Sequence, residues 1–271
     1  MEIIFLGTGS AFCLHNYQSN LLIKKNDRFL LVDAGGDIRF SLKKSGFFIR
    51  DIDALYISHM HNDHIGGMEY IALFTYFDPN RLPLSLFIHQ TFLHELWEHA
   101  LKAGLSSVQD KTLTLEDYFN VHSIGTDLVF QWQDICFTLV PTPHIFNGQK
   151  SIYTYGLLIH DKTTNHKIFL TGDTQFYPQK LQSAYNEADL IIHDCETSDF
   201  KSGVHSHYDD IKDLDPQIKD KTYLWHYQDN VVMNMEHWQK KAQQDGFQAF
   251  ITQGSSIIVK EKVMIYKVSD E

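Results

Sequence analysis

The segment Ser58-His59-Met60-His61-Asn62-Asp63-His64 constrains this chain more than any other stretch, because it sets three imidazoles and a carboxylate within six positions. The apolar run Ala54–Ser58 just before it reads as a short strand, so the chain arrives at His59 on a strand end. On a loop there, His59 and His61 can turn toward one metal ion, while Asp63 and His64, where a helix begins, turn toward a second. That division needs loop geometry, since residues i and i+2 do not converge on a helix. Histidine is also in excess overall, 16 of 271 residues, and imidazole is the commonest protein ligand for zinc. A chain of this composition would show such a pattern by chance on the order of a few times in a thousand.

Around this segment the hydrophobic pattern alternates between strands and helices. Glu2–Leu6, Tyr17–Lys24 and Arg28–Val32 read as strands, the last two joined by Lys25-Asn26-Asp27. A helix follows at Ile38–Lys44, ended by Gly46. Beyond His64, helical spacing runs through Ile65–Tyr76, and Thr91–Ala103 reads as a helix capped by Gly104, with a strand Leu84–Ile88 between them. Strands follow at Phe119–His122, Leu128–Trp132, Ile135–Val140, Tyr153–His160 and Lys167–Leu170. Then come a helix near Tyr177–Asn186, a strand Leu190–His193, a helix near Tyr208–Leu214, a strand Thr222–Leu224, a helix Met233–Gln244 and a final strand Gln248–Ile251. Strand runs with helices interposed, twice over, predict an α/β protein built as a four-layer αββα sandwich. The length suits a single domain over residues 1–271, and 43% hydrophobic residues suffice for a two-layer core.

The HxHxDH array behind an apolar strand, preceded by Phe5-Leu6-Gly7-Thr8-Gly9-Ser10-Ala11 and Leu30-Leu31-Val32-Asp33-Ala34-Gly35-Gly36, resembles the metallo-β-lactamase superfamily. The resemblance runs essentially the length of the chain. Its later ligands fall at matching strand ends: His144 in Val140–His144, Asp173 in Phe169–Thr174 and His226 in Tyr223–Tyr227. The resemblance implies that His59, His61 and His144 hold a first metal, that Asp63, His64 and His226 hold a second, and that Asp173 bridges them. Seven nitrogen and oxygen ligands without a thiolate suit two divalent ions, Zn²⁺ first, with Mn²⁺ or Fe also compatible. Asp33 is expected to steady a ligand from behind, as metal-bound imidazoles usually donate their other N–H to a carboxylate or carbonyl; a plain turn aspartate is the alternative. Histidines 15, 89, 94, 99, 122, 160 and 166 have no ligand-like context, and His94 and His99, five apart, do not pair on an α-helical face.

Two divalent ions about 3.5–4 Å apart can hold a hydroxide between them, which points to hydrolysis. The electrophile is read from Ile191–Thr197 and Gly203–Asp210. These resemble the HEAT and HST motifs of the ribonuclease Z and phosphodiesterase branch. Carried over, His205 protonates or stabilises the leaving oxygen and Asp194 orients it, making Asp63, His205 and Asp194 the expected catalytic set. Asp194 stands where the branch has Glu, and His207 where it has Thr. Glu196 is therefore an alternative acid, and His207 an alternative working residue or simply a helix N-cap. Only residues 145–172 separate His144 from Asp173, leaving no room for the basic arm with which ribonuclease Z grips tRNA. The expected substrate is a small nucleotide phosphodiester, plausibly cyclic, with Phe74, Tyr76, Phe77, Trp97, Tyr118 and Phe119 available to stack on a base or to build a core or dimer interface. A lactonase or thioesterase of the same fold is the alternative enzyme, and a metal-binding sensor without activity is the alternative in kind.

Composition narrows the partners. Net charge is −11, from 34 acidic against 23 basic residues, which opposes broad association with a nucleic-acid backbone. No apolar run is long enough for a membrane span, and Met1–Ser10 lacks the regions of a signal peptide, so a cytoplasmic protein is expected. Cys13, Cys136 and Cys195 form no CxxC pair and read as reduced, mostly buried residues. A homodimer is implied by the resemblance alone.

Overall fold

Strand after strand carries apolar side chains on both faces, and the computed structural model, which describes residues 1–80, 82–261 and 263–268, shows why. The central strands are covered on both sides. In Arg28–Val32, Leu30 and Val32 enter a core between two sheets, while Leu31 enters a second core outside it. In His166–Leu170, Ile168 and Leu170 enter the central core and Phe169 a third, on the far side of the other sheet. The period-2 alternation thus sorts side chains between two buried layers rather than between core and water. Each fully buried Leu, Ile or Phe contributes about 1.5–3 kcal/mol.

Among the described residues, one sheet runs Val263–Lys267, Ser256–Lys260, Glu2–Gly7, Asn20–Lys25, Arg28–Val32, Ala54–Ile57, Leu84–His89 and Phe119–Ile124. The other runs Ala249–Phe250, Thr222–Trp225, Leu190–Asp194, His166–Leu170, Ser151–Asp161, Ile135–Phe146 and Val129–Trp132. Helices Ile38–Lys44 and Met68–Phe77 pack Ile38, Leu42, Met68 and Ile71 on the outside of the first sheet. Helices Pro178–Glu187 and Met235–Gln244 pack Leu181, Tyr185 and Ala242 on the outside of the second. The layers are therefore helix, sheet, sheet, helix, as the alternation of elements predicts.

Several local expectations are corrected. The chain does not finish its sheets at Ile251: Ser256–Lys260 pairs antiparallel with Glu2–Gly7, and Val263–Lys267 forms the edge beyond it. The second strand begins at Asn20 rather than Tyr17. The helical run after Ile65 is broken at Gly66-Gly67. Gly104 is not a cap. It lies inside a helical run from Gln90 to Leu105, with the Glu69 carboxylate close against it: a Cβ would stand 2.2 Å from Glu69 Oε2. Residues Glu95–Leu101 of that run are π-helical, which brings position i+5 over position i; the rings of His94 and His99 consequently meet, 5.5 Å between centroids. The strand expected to stop at Val140 continues to Phe146, with a bulge at His144. All three cysteines are free, with Cys195 buried and Cys13 and Cys136 partly exposed.

Parallel pairing decides where the ends of the strands lie. Arg28–Val32, Ala54–Ile57 and Leu84–His89 are mutually parallel, as are His166–Leu170, Leu190–Asp194 and Thr222–Trp225. Their carboxyl ends open onto one edge of the sandwich, the place where open α/β sheets bind ligands.

Candidate metal centre and active site

Asp33, His59, Asp173 and His226 each reach that edge just past a strand end, while His144 lies at a bulge inside Ile135–Phe146 and Asp63 and His64 lie in the short helix Asn62–Ile65. Asp33 follows Val32, His59 follows the Ala54–Ile57 strand, Asp173 follows Leu170 through the Thr171-Gly172 turn, and His226 follows Trp225. Two of these turns use left-handed backbone, with φ of 61° at both Asp33 and His226. His226 in that region is an uncommon conformation held by its surroundings: Tyr227 N donates to Thr8 O, and Ser10 N to Tyr227 O. Gly172, at φ 60°, lets the chain turn directly into Asp173.

The side chains converge in two groups of donor atoms, each within a 4.8 Å span. One contains His59, His61, His144 and Asp173, the other Asp63, His64, Asp173 and His226. Asp173 belongs to both, with Oδ2 3.7 Å from His59 Nε2 and 3.3 Å from His64 Nε2, and Oδ1 3.5 Å from His226 Nε2. This is the partition expected from the sequence. All but His61 are buried, and His61 faces the mouth.

Hydrogen bonds behind the rings set which nitrogens face the front and leave lone pairs there whenever the rings are neutral. His64 Nδ1 donates to Asp33 Oδ2 at 2.7 Å, so its Nε2 is unprotonated in the neutral ring and faces Asp63 Oδ2 at 3.2 Å. His226 Nδ1 faces Asp194 Oδ1 at 3.4 Å, aiming its Nε2 at Asp63 Oδ2, also 3.4 Å away. His144 Nδ1 donates to Val204 O at 2.8 Å, and its Nε2 stands 3.1 Å from His61 Nδ1, which is itself 3.0 Å from His59 Nε2. Lone pair against lone pair, and lone pair against carboxylate, are repulsive contacts unless a cation or protons lie between them. His64 Nε2 and Asp173 Oδ2 are moreover buried without a hydrogen-bond partner. The residues fit divalent cations, and a nitrogen- and oxygen-only set suits Zn²⁺.

Ionisation follows the same geometry. Burial pushes the Asp173 carboxyl up, but the His226 and His64 rings outweigh it and hold the group well below the usual carboxylate range. Burial pushes His144 down to about 4. Around His64, burial is outweighed by Asp173, Asp63 and Asp33, so that ring is pushed well up. Without metal, protons on His64 and His226 balance the carboxylates; binding metal must displace them.

Beside the two groups, His205 Nδ1 meets Asp194 Oδ2 at 2.9 Å, and its ring lies 5.1 Å from that of His144 and 4.9 Å from that of His226. Burial would lower the His205 pKa, but Asp194 raises it above the ordinary value. Asp194 itself, pushed up by burial and down more strongly by His205 and His226, is held at about 2. The alternatives left open by the sequence point elsewhere. Glu196 accepts from Ser198 Oγ and Ser202 N, tying its own loop together. His207 Nδ1 accepts from Asp209 N as the N-cap of the short helix Tyr208–Ile211, and its Nε2 contacts Ser198 O.

Asp33 stands where second-sphere support was expected: besides His64 it accepts from Ser58 N at 2.8 Å and Ser58 Oγ at 2.7 Å. The six aromatic residues offered for base stacking sit instead in the outer layer of the first sheet. Tyr118 and Phe119 are buried there, Phe74, Tyr76 and Trp97 pack against the same core, and Phe77 projects outward. Unannounced by the sequence are Thr174, whose N–H donates to Asp194 Oδ2 at 2.9 Å, and Gln175 next to it.

A family model described as Anti-Pycsar protein Apyc1 matches residues 1–257. The chain belongs to this family. It is 34% identical over 233 residues to the Anti-Pycsar protein Apyc1 of Paenibacillus harenae, covering 85% of this chain and 91% of that protein. To the protein of the same name from Bacillus phage 010DV004 it is 31% identical over 268 residues, covering 96% and 98%. Among solved structures, the metallo-beta-lactamase fold protein YhfI from Bacillus subtilis matches with a TM-score of 0.72 at 19% identity, covering 94% of this chain and 97% of that one. Human tRNase Z, short form, matches with a TM-score of 0.68 at 16% identity, covering 96% and 100%. The fold is that of the metallo-β-lactamases, as the HxHxDH resemblance implied.

Proposed function

We infer that this metal-dependent hydrolase is a phosphodiesterase of small nucleotides, cyclic ones included, working with two divalent cations, Zn²⁺ first. The observation that carries the reading is the His205–Asp194 pair, set beside the donor groups with His205 Nδ1 turned to the carboxylate. That leaves Nε2 as the nitrogen free to face a substrate. As the P–O bond to the leaving oxygen breaks, its electron pair stays on that oxygen, and the Nε2–H proton neutralises it. A thioester expels a weakly basic thiolate and needs no such acid, whereas a lactone, like a cyclic phosphodiester, expels an alkoxide.

His59, His61, His144 and Asp173 would hold one cation, and Asp63, His64, His226 and Asp173 the other. Bound cations supply Lewis acidity toward a phosphoryl oxygen and water activated near neutral pH. Between His144 and Asp173 lie only the end of the strand Ile135–Phe146 and the strands Ser151–Asp161 and His166–Leu170, which favours a small substrate over tRNA. Among the described residues no helix is long and apolar enough to cross a membrane, and the cytoplasm is where a nucleotide substrate would be met. The homodimer belongs to the same reading: Tyr70, Phe74 and Phe77 line an open surface hollow of about 970 Å³ that a second copy can cover.

The test is elemental analysis coupled to hydrolysis of bis(p-nitrophenyl) phosphate and a panel of cyclic nucleotides, wild type against Asp63→Ala. Two metals per chain with Asp63-dependent diesterase activity are expected. Two metals without diesterase activity would sink the reading and favour lactones or thioesters.

A further inference from the structure

His205 is carried by an exposed loop. Residues 199–203 all face solvent, and Gly203, at φ 79°, has open space where a Cβ would be. A proton donor on such a loop must be held from outside, because loop ordering costs roughly 1–2 kcal/mol of backbone entropy per residue. The restraints come from the other side of the site. Gln175 Nε2 donates to Gly203 O, His144 Nδ1 donates to Val204 O at 2.8 Å, and Ser206 Oγ donates to Thr174 O at 2.9 Å. Gln175 is itself anchored, since its N–H donates to Pro143 O at 2.7 Å, next to His144, and Thr174 Oγ1 donates to the same carbonyl at 3.2 Å.

We propose that Gln175 is a positioning residue that clamps the Gly203–His205 loop to the strand bearing His144, and so sets His205 against the leaving oxygen. The inference rests on His205 as the proton donor. Asp194 fixes the direction of the imidazole, but it does so from Nδ1 and leaves the ring free to swing with its backbone. Gln175 addresses that backbone. Among the described residues, its side chain is the one that links the Asp173 strand end to the Gly203 carbonyl, and it is neither a donor of the metal groups nor part of the His205–Asp194 pair.

Gln175→Met keeps the length and shape of the side chain and removes the donor. Backbone amides of residues 203–206 are expected to exchange hydrogen about tenfold faster in the metal-loaded variant, as for loss of one hydrogen bond, with metal content unchanged. Cyclic-nucleotide turnover, which expels a basic alkoxide, is expected to fall about tenfold in kcat with KM within about twofold. Hydrolysis of bis(p-nitrophenyl) phosphate, whose leaving group needs no proton, should fall less than about threefold. Combined with His205→Ala, Gln175→Met should cost little more than His205→Ala alone, because the two act as one unit. Equal losses on both substrates, additive losses in the double variant, or unchanged exchange at 203–206 would each overturn the clamp. If the wild type cleaves no diester at all, the reading of the function fails, and the exchange measurement still decides whether Gln175 holds the loop.

Discussion

Replacing Asp33 by Asn tests whether a residue that touches no metal sets the affinity of one cation. Asp33 is buried and accepts three hydrogen bonds, from His64 Nδ1, Ser58 Oγ and Ser58 N. Asn keeps the size, and it tolerates the left-handed backbone found there, φ 61°, so the turn survives. It has one acceptor oxygen where Asp has two. If that oxygen keeps Ser58 N, an NH₂ group faces His64 Nδ1, and the imidazole must move its proton to Nε2. The lone pair aimed at the second donor group is then lost. A hydrogen bond to a charged partner contributes about 1.5–3 kcal/mol, which predicts a cation affinity about 10- to 100-fold weaker in the Asp63, His64, Asp173, His226 group. Zinc titration against a chromophoric chelator, resolving two sites, measures it; the His59, His61, His144 site, which Asp33 meets through Ser58 Oγ beside His59 Nδ1 rather than directly, should change less than about threefold. Two unchanged sites, or two equally weakened ones, would refute the tautomer argument.

Three more outcomes are expected. His205→Ala should slow cyclic-nucleotide hydrolysis by about 10²–10³ while sparing most activity toward bis(p-nitrophenyl) phosphate, measured as kcat on metal-loaded protein; equal losses would remove His205 as the acid. Gly156→Ala would set a Cβ 2.4 Å from Thr171 O and 2.7 Å from Leu170 O, so unfolding free energy should drop by about 2 kcal/mol or more. Because Thr171 leads into Asp173, both cations should also bind more weakly, and a variant with wild-type melting would refute the clash. The third concerns acid. Burial raises the Asp161 pKa, but Lys25, 2.7 Å away, and Thr163 outweigh it and hold the group at about 2. A depressed pKa stabilises above the unfolded value and is lost as pH falls toward the folded one, so Asp161→Asn should cost about 2 kcal/mol at pH 7 and roughly half of that at pH 3. Urea midpoints of the two proteins at both pH values check it, and a gap independent of pH would count against the pair.

The His59–His64 array could be read from the sequence because its donors are neighbours in the chain, where spacing alone decides which can share an ion. The αββα layering could be read as well, since period-2 and period-3.6 patterns are local. His144, Asp173 and His226 were legible only through resemblance to a family. What brings Asp173 and His226 to His59 is the parallel register of separate strands, and His144 joins them from a bulge in the antiparallel strand Ile135–Phe146. Tertiary structure likewise aims Asp194 and His205 at the donor groups while Glu196 and His207 bond within their own loop, a difference that a sequence does not declare. Ser256–Lys260 and Val263–Lys267 escaped although each carries an apolar run, because the strand they build on, Glu2–Gly7, lies at the other end of the chain. His94 and His99 met because tertiary packing selected a π turn over the α-helical one that spacing assumes. Local chemistry is written in the order of residues. Which distant side chains share a cavity is decided by backbone hydrogen bonds between strands, and those are made only when the whole sandwich closes.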